Sequence, residues 1–484
     1  METSSPAETN AHFHYIRLAD DIEHKILGGI FRAGEKLPSI RKLHVWSGFS
    51  ITTVYQAYIE LEKRGMIETL PKSGFYVRSA LPHLLPAPEL KRHKPLPRKV
   101  LTHTLISARI EAMSDPGFIN FGAGAPAADL LPHAQLMRII KAITQKQAGQ
   151  WLTLYELPAG SIHLRREIAK RISGVIPDTT ESDIIVTNGC MEAISICLRA
   201  VARPGDTILV ESPSFHCFLE LIEDQDMLAL EIPSDPETGM DLDSLETALK
   251  THDVKACILN PNFQNPMGFV MPTERKKRLL QILGSRGIPI IEDNIYGELY
   301  FDRQAPTTLK SMDEQGMVLH CASFSKTLSP GLRIGWTLPG RFKEQVQRIK
   351  INTSISTSSL NQHAIAEFLE SGAFDRHLRR LRTALKTQVG NTALAIARYF
   401  PENTRITCPR GGLMLWVELD EAIDTLKVYH QAMEERIAIT PGIICATADR
   451  YKNCMRISCG TPWNEKIEAA IARLGQIASM HLEP

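Results

Sequence analysis

The sequence has no Cys-x-x-Cys pair, no paired Cys/His clusters, and no cysteine before Cys190. Nine scattered thiols in 484 residues exclude a disulfide framework or a zinc ribbon. They are read as small apolar core residues in a reducing compartment, and no metal is expected. No run approaches the ~18 consecutive apolar residues that a membrane span needs, so no membrane association is expected. The first ten residues are polar and lack an apolar core, so no secretory signal is expected there and a cytoplasmic location is. Aromatics are sparse at 6%, and the formal net charge is only +1, which by itself points to no partner. What remains, 43% hydrophobic and 23% charged residues, is ordinary globular composition at a length that predicts two to four domains.

The charge is unevenly spread. Residues 11–99 carry 15 Lys/Arg against 8 Asp/Glu, whereas residues 100–484 carry 40 against 44. A basic front end on a slightly acidic body is the asymmetry expected where one end meets a polyanion. Three zones follow: a compact helix-rich domain over 11–78, a segment over 79–106, and a body over 107–484. The body divides into a larger part at about 150–345 and a smaller one at about 346–484. Residues 79–99 hold five prolines and five basic residues and read as a semi-rigid linker, with an irregular packed loop as the alternative. In the body, short apolar runs such as Asp183-Ile-Ile-Val-Thr187, Thr207-Ile-Leu-Val210, Ala256-Cys-Ile-Leu259, Ile288-Pro-Ile-Ile-Glu292 and Met317-Val-Leu-His320 alternate with amphipathic stretches. That pattern predicts an α/β fold with a mostly parallel sheet and crossover helices.

In the front domain the pattern predicts a helix over 15–27 with Ile16, Ala19, Ile22 and Ile26 on one face, ended by Gly28-Gly29. A second helix is expected from Pro38, a good first-turn residue, and a third over 51–64 with Ser50 as its N-cap. Val54, Ala57, Tyr58 and Leu61 fall at i, i+3, i+4 and i+7 and must face the core. Thr52, Thr53 and Gln56 are thereby turned outward near the helix start, the end that reads base edges in a helix-turn-helix. Two short strands around Pro71-Lys-Ser-Gly74 predict a wing whose Lys72 suits a backbone phosphate. Spacing alone is equally compatible with a three-helix interaction module. The stretch Gly34-Glu-Lys-Leu-Pro-Ser-Ile-Arg41, Ser50-Ile-Thr-Thr-Val54, Leu61-Glu-Lys-Arg-Gly65 and Ser73-Gly-Phe-Tyr-Val77 resembles the winged helix-turn-helix of GntR-type transcriptional regulators. The resemblance implies double-stranded operator DNA as partner. Arg41, Ser50, Thr52 and Thr53 would contact it, and Gly74 would let the wing approach the backbone. Ile51 stands where the family often has Arg, the usual reader of guanine, which implies an atypical operator.

The most informative segment is Cys321-Ala-Ser-Phe-Ser-Lys-Thr-Leu-Ser-Pro-Gly-Leu-Arg-Ile-Gly-Trp336. Lys326 sits there among small hydroxyl, apolar and glycine residues, surroundings that keep an amine deprotonated and nucleophilic. Ser323, Ser325 and Arg333 are the donor set a phosphate monoester needs. Asn188-Gly-Cys-Met191, between a predicted strand and helix, leaves free backbone N–H groups for an anion, although alone it is an ordinary strand–helix turn. Asp293 ends a predicted parallel strand, where such sheets hold ligands; a helix N-cap is its plainer alternative.

Together these motifs resemble the fold-type I pyridoxal-phosphate enzymes of the aspartate-aminotransferase class, over about residues 107–481. The resemblance implies pyridoxal 5'-phosphate as cofactor, Lys326 as the Schiff-base lysine, and Asp293 on the ring nitrogen. It implies Tyr296 and Asn265 on the ring hydroxyl and Phe215 stacked on the ring. Gly189, the N–H groups of Cys190 and Met191, Ser323, Ser325 and Arg333 would hold the phosphate. Tyr155 would reach the phosphate of a neighbouring subunit, and Arg456 would grip a substrate carboxylate. Cys190 and Met191 replace a hydroxyl residue and Gln that are common in the family, which predicts weaker phosphate binding.

A GntR-type winged helix, a proline-rich linker and an aminotransferase-like body together resemble MocR-type regulators. The implied protein is a transcription factor that senses an amino compound or pyridoxal phosphate itself, as a domain-swapped homodimer. The alternative is a catalytically active aminotransferase carrying a DNA-binding module.

Overall fold

The computed structural model describes residues 6–27, 30–70, 73–78, 85–100, 115–146 and 150–482; Gly28-Gly29 and Lys72 lie outside them. The front domain begins with α1 (Pro6–Leu27), which starts earlier than the expected residue 15. Its buried face is Leu18, Ala19, Ile22 and Ile26, with Ile16 only half-buried. The second helix, α2 (Ile40–Ser47), starts two residues beyond Pro38, because the Ser39 hydroxyl accepts the Lys42 N–H and takes the N-cap position. Gly48, at φ 71°, ends it. The third, α3 (Ile51–Lys63), is capped by Ser50, whose Oγ accepts the Thr53 N–H at 3.1 Å. Val54, Ala57, Tyr58 and Leu61 are fully buried, and the Tyr58 hydroxyl donates to the Pro38 carbonyl at 2.7 Å. Strands β1 (Ile67–Leu70) and β2 (Gly74–Val77) pair antiparallel as a wing, Leu70 opposite Gly74.

The body is built on an eight-stranded sheet: β3 (Ile185–Thr187), β4 (Thr207–Ser212), β5 (Leu228–Asp235), β6 (Gly239–Met240), β7 (Val254–Leu259), β8 (Ile290–Asp293), β9 (Val318–Ser323) and β10 (Gly335–Leu338). Its order is β3-β10-β9-β8-β7-β4-β5-β6. The five central strands, from β9 through β5, are mutually parallel, whereas β10 and β6 run antiparallel to their neighbours. The strand interiors are wholly apolar in Ile208, Leu209, Val210, Cys257, Ile258 and Ile291 because helices cover both faces. Two covering helices matter for the site: α4 (Cys190–Val201) and α5 (His216–Asp224). The longest helix, α6 (Ala373–Tyr399), runs from the larger part of the body into the smaller.

The smaller part is a four-stranded antiparallel sheet of β11 (Arg405–Ile406), β12 (Met414–Glu418), β13 (Thr440–Pro441) and β14 (Cys454–Ser458), in the order β11-β12-β14-β13. Its packing departs from a division near residue 346. Val346 is buried with the α4 side of the large sheet, and Ala364, Ile365 and Phe368 are buried against the larger part as well. Conversely, Phe121 packs into the small core, and Ile119 pairs with Ile437. The proline-rich segment also differs from a free spacer, since residues 85–100 are docked on the body. Arg98 and Ala229 exchange both backbone hydrogen bonds at 2.9 Å, Lys91 pairs with Glu418 at 3.0 Å, and Val100 is buried beside α4. Docking caps the otherwise open edge of β5. The front domain rests on α6, where the Asn391 Oδ1 accepts the Ala33 N–H at 3.0 Å and Leu394 joins the winged-helix core. Among the described residues no helix is long and apolar enough to cross a membrane.

Candidate cofactor pocket and nucleic-acid face

Lys326 lies in the turn just after β9, and Asp293 ends the neighbouring parallel strand β8, with Cys321 opposite Asp293 in register. Parallel register brings both groups to the carboxyl end of the sheet, where strand order leaves room for a ligand. Burial lowers the Lys326 amine to about 8, and the positive charge of Arg456 pushes in the same direction. A larger share of neutral amine follows near neutral pH. Asp293 is buried and accepts the Ile295 N–H at 2.9 Å. Burial raises its carboxyl, so a cationic partner in the pocket would favour the ionised form.

Arg456 comes from β14 in the small sheet and is 2% exposed. Its guanidinium donates to the Asn265 Oδ1 at 2.7 Å, the Gly122 carbonyl at 2.5 Å and the Thr440 Oγ1 at 3.0 Å. Asn265 is thus tied to Arg456 through its oxygen. Tyr296 is buried and its hydroxyl donates to the Gly124 carbonyl at 3.2 Å. Burial also raises the Tyr296 phenol. Gly122, Gly124 and Thr440 were not singled out in the sequence. The Gly-Ala-Gly run at 122–124 was the available signal, because a Cβ at Gly124 would stand 3.0 Å from the Tyr296 oxygen and 2.7 Å from Met414 Cε.

At the start of α4, Gly189 is the N-cap at φ 88° and ψ 174°. A Cβ there would fall 2.5 Å from the Arg333 guanidinium. Arg333 itself adopts φ 53° and donates to the Asn188 carbonyl at 3.2 Å. Ser323 and Ser325 are buried beside this turn's partner loop, with the Ser325 N–H donating to Ser323 Oγ at 3.3 Å. Glycine backbone, helix N-terminus, guanidinium and hydroxyls together fit a phosphate. The Cys190 thiol donates to Asp293 Oδ1 at 3.4 Å. Phe215 is half-buried at the N-cap of α5. Met191 is half-buried in the first turn of α4. Tyr155 is 83% exposed, close in sequence to the exposed Leu152, Leu154 and Leu157.

On the front domain, Arg41, Ser50, Thr52 and Gln56 are exposed, and Thr53 is half-buried. Ser50 and Thr53 are bound to each other through their hydroxyls at 2.8 Å, so both serve the cap of α3. Exposed Ile51, Tyr55, Val45 and Trp46 extend the same region with apolar surface. Gly74, at φ 113°, opens the wing strand, and its missing Cβ leaves Lys36 Cε at contact distance, 3.4 Å. Lys72 is not among the described residues.

A capped recognition helix with a wing, on a body with a buried lysine at the carboxyl end of a parallel sheet, defines a winged-helix protein with an aminotransferase-type body. Residues 116–474 match the aminotransferase class I and II family, and residues 14–77 match the bacterial regulatory proteins of the gntR family. The chain belongs to both, in the arrangement of MocR-type regulators. It is 36% identical over 471 residues to the uncharacterized HTH-type transcriptional regulator YjiR of Escherichia coli, covering 97% of this chain and 99% of that one. It is 32% identical over 366 residues to the 2-aminoadipate transaminase of Thermus thermophilus, covering 75% and 90% respectively. Among solved structures, the alpha-aminoadipate aminotransferase LysN of Thermus thermophilus superposes with a TM-score of 0.73 at 28% identity, covering 79% of this chain and 96% of LysN.

Proposed function

We propose that this protein is a cytoplasmic transcriptional regulator that binds operator DNA through its winged helix and senses a carboxylate-bearing amino compound in its body. Pyridoxal 5'-phosphate is the proposed cofactor. When bound, it supplies an aldehyde for covalent attachment of amines and an electron-withdrawing ring. Lys326 provides the amine, kept partly neutral by burial and by Arg456. Asp293 supplies a buried carboxylate for a ring nitrogen, and Cys190 holds that carboxylate in place. Gly189, Cys190 and Met191 offer backbone N–H groups, and Ser323, Ser325 and Arg333 side-chain donors, to a phosphate. Asn265 and Tyr296 would serve the ring hydroxyl, Phe215 would lie against the ring, and Arg456 would take the effector's carboxylate.

The observation that carries this reading is the convergence of Lys326, Asp293 and Arg456, from three separate elements, at one buried pocket. Helix α6 supports coupling to DNA. Its His377 Nε2 bonds the carbonyl of Thr327, next to Lys326, at 2.7 Å, and its Asn391 holds the winged helix. Fourteen residues separate the two, about 21 Å of continuous helix. Displacement of the Lys326 loop therefore has a stiff path to the DNA-binding domain. Arg41, Ser50, Thr52, Thr53, Gln56, Lys72 and Gly74 form the proposed DNA face. The exposed apolar run Leu152, Leu154, Tyr155 and Leu157 supports a homodimer in which a second copy covers it and Tyr155 reaches the neighbouring pocket. We also propose exchange of winged helices between the two copies, in which the Ala33–Asn391 contact would form between one copy's winged helix and the other copy's α6.

A spectral titration of the cofactor-loaded protein with a panel of amino acids, repeated with operator DNA, tests this. Expected is a visible spectral change that alters DNA affinity without multiple turnover of amino and 2-oxo acids. Rapid turnover with unaltered DNA binding would favour the second reading, a working aminotransferase with a DNA-binding module, which the intact Lys326, Asp293 and Arg456 support.

A further inference from the structure

The pocket described above leaves unused three side chains at the start of α5: His216, Cys217 and Glu220. One ligand atom from each, an imidazole nitrogen, a thiol sulfur and a carboxylate oxygen, lies within 4.8 Å of the other two. At about 100° per residue the three fall within an arc of roughly 100° on a single helix face. Phe218, Leu219 and Ile222 anchor the helix in the core, and the Ser214 N–H ties its approach to the Cys445 carbonyl at 2.8 Å. His216 is itself buried at 5% exposure. Two of the three, Cys217 and His216, also border the pocket. Cys217 lies within electrostatic reach of Lys326 and Tyr296, and the His216 ring meets Phe215 edge-on at 4.7 Å.

We propose that His216, Cys217 and Glu220 form a three-ligand site for a zinc-type divalent cation beside the cofactor pocket. Nitrogen, sulfur and oxygen donors in that ratio suit borderline cations and disfavour magnesium or calcium, which take oxygen ligands. Zn–S bonds of about 2.3 Å and Zn–N or Zn–O bonds of about 2.0–2.2 Å put tetrahedral donors roughly 3.2–3.8 Å apart. Closing the last ångström needs side-chain rotation at the helix start. Binding releases the Cys217 thiol proton to solvent and forms the sulfur–metal bond, with no change of oxidation state. Three protein ligands leave a fourth position for water, or for the carboxylate or thiol of an amino compound entering the pocket. A cation on His216 also fixes the orientation of Phe215.

The test is calorimetric titration of chelator-treated, full-length protein with zinc chloride, alongside visible spectra with cobalt chloride. Expected is one zinc per chain, with affinity lowered about tenfold or more by Cys217→Ser and by Glu220→Gln. The cobalt-loaded protein should show a thiolate-to-metal absorption that Cys217→Ser removes. Retained circular dichroism and operator binding in both variants separate metal loss from misfolding. The titration is run on cofactor-free protein with Lys326 intact, so one zinc per chain is expected whether or not pyridoxal phosphate binds, since all three ligands are protein side chains. Failure of the cofactor reading therefore leaves this result standing. Absence of stoichiometric zinc binding, or affinity unchanged in both ligand variants, overturns the proposal.

Discussion

Gly189→Ala probes the proposed phosphate turn through geometry alone. The residue sits at φ 88° and ψ 174°, a region open essentially to glycine only, and occupying it with another residue costs about 1–3 kcal/mol. The new Cβ would meet the Arg333 guanidinium at 2.5 Å, and its central carbon at 3.0 Å, closer than non-bonded atoms tolerate. The guanidinium is the mobile partner, so it swings away from the helix start. One charge-assisted hydrogen bond to a phosphate is then lost, about 1.5–3 kcal/mol, or roughly ten- to a hundredfold in Kd at about 1.4 kcal/mol per decade. Equilibrium dialysis of cofactor-free protein against pyridoxal phosphate measures it. Arg333→Ala should weaken binding to a similar degree. The double variant should be little worse than either single one, because both remove the same contact. A Gly189→Ala protein that binds the cofactor within about twofold of wild type, while Arg333→Ala does not, would refute the displacement argument.

Other outcomes follow from the lysine site and from the third helix of the front domain. Lys326→Ala should abolish both the visible absorption of the cofactor-loaded protein and the adduct trapped by borohydride; an unchanged spectrum moves the attachment site elsewhere. Covalent attachment at Lys326 requires the neutral amine, so its rate should rise with pH to a midpoint of about 8. Arg456→Gln, by removing a positive charge, should move that midpoint upward, and a downward move contradicts the assignment. Ser50→Ala should lower both thermal stability, by about 0.5–2 kcal/mol for a lost N-cap, and operator affinity. Thr52→Ala should lower affinity alone, by about 1–3 kcal/mol if it reads a base, as followed by paired melting and gel-shift measurements.

Much of this molecule is decided locally and was legible in the chain. Ser50 caps α3 because a hydroxyl before a helix satisfies a donor three residues on. Val54, Ala57, Tyr58 and Leu61 face inward because the helical period puts them there. Asp293 ends its strand, and Cys190 starts a helix after a glycine whose positive φ other residues avoid. The Cys and His spacing read as metal-free, by contrast, hid the His216, Cys217 and Glu220 cluster, since adjacent residues match no familiar spaced motif. Other features were settled only by packing. Arg456 and Thr440 are paired within the small sheet and Gly122 lies beside it, whereas Asn265, 191 residues from Arg456, meets them only where the larger part abuts the smaller. The proline-rich segment docks rather than spans because β5 offers it an open edge and Glu418 a charge. The Cys190 thiol turns toward Asp293, and His377 reaches the Lys326 loop, through contacts between residues 103 and 50 positions apart. Helix period, capping and turn chemistry act over a few residues and leave a mark in the order of side chains. Partner choice in a folded core depends on distances that no local pattern encodes.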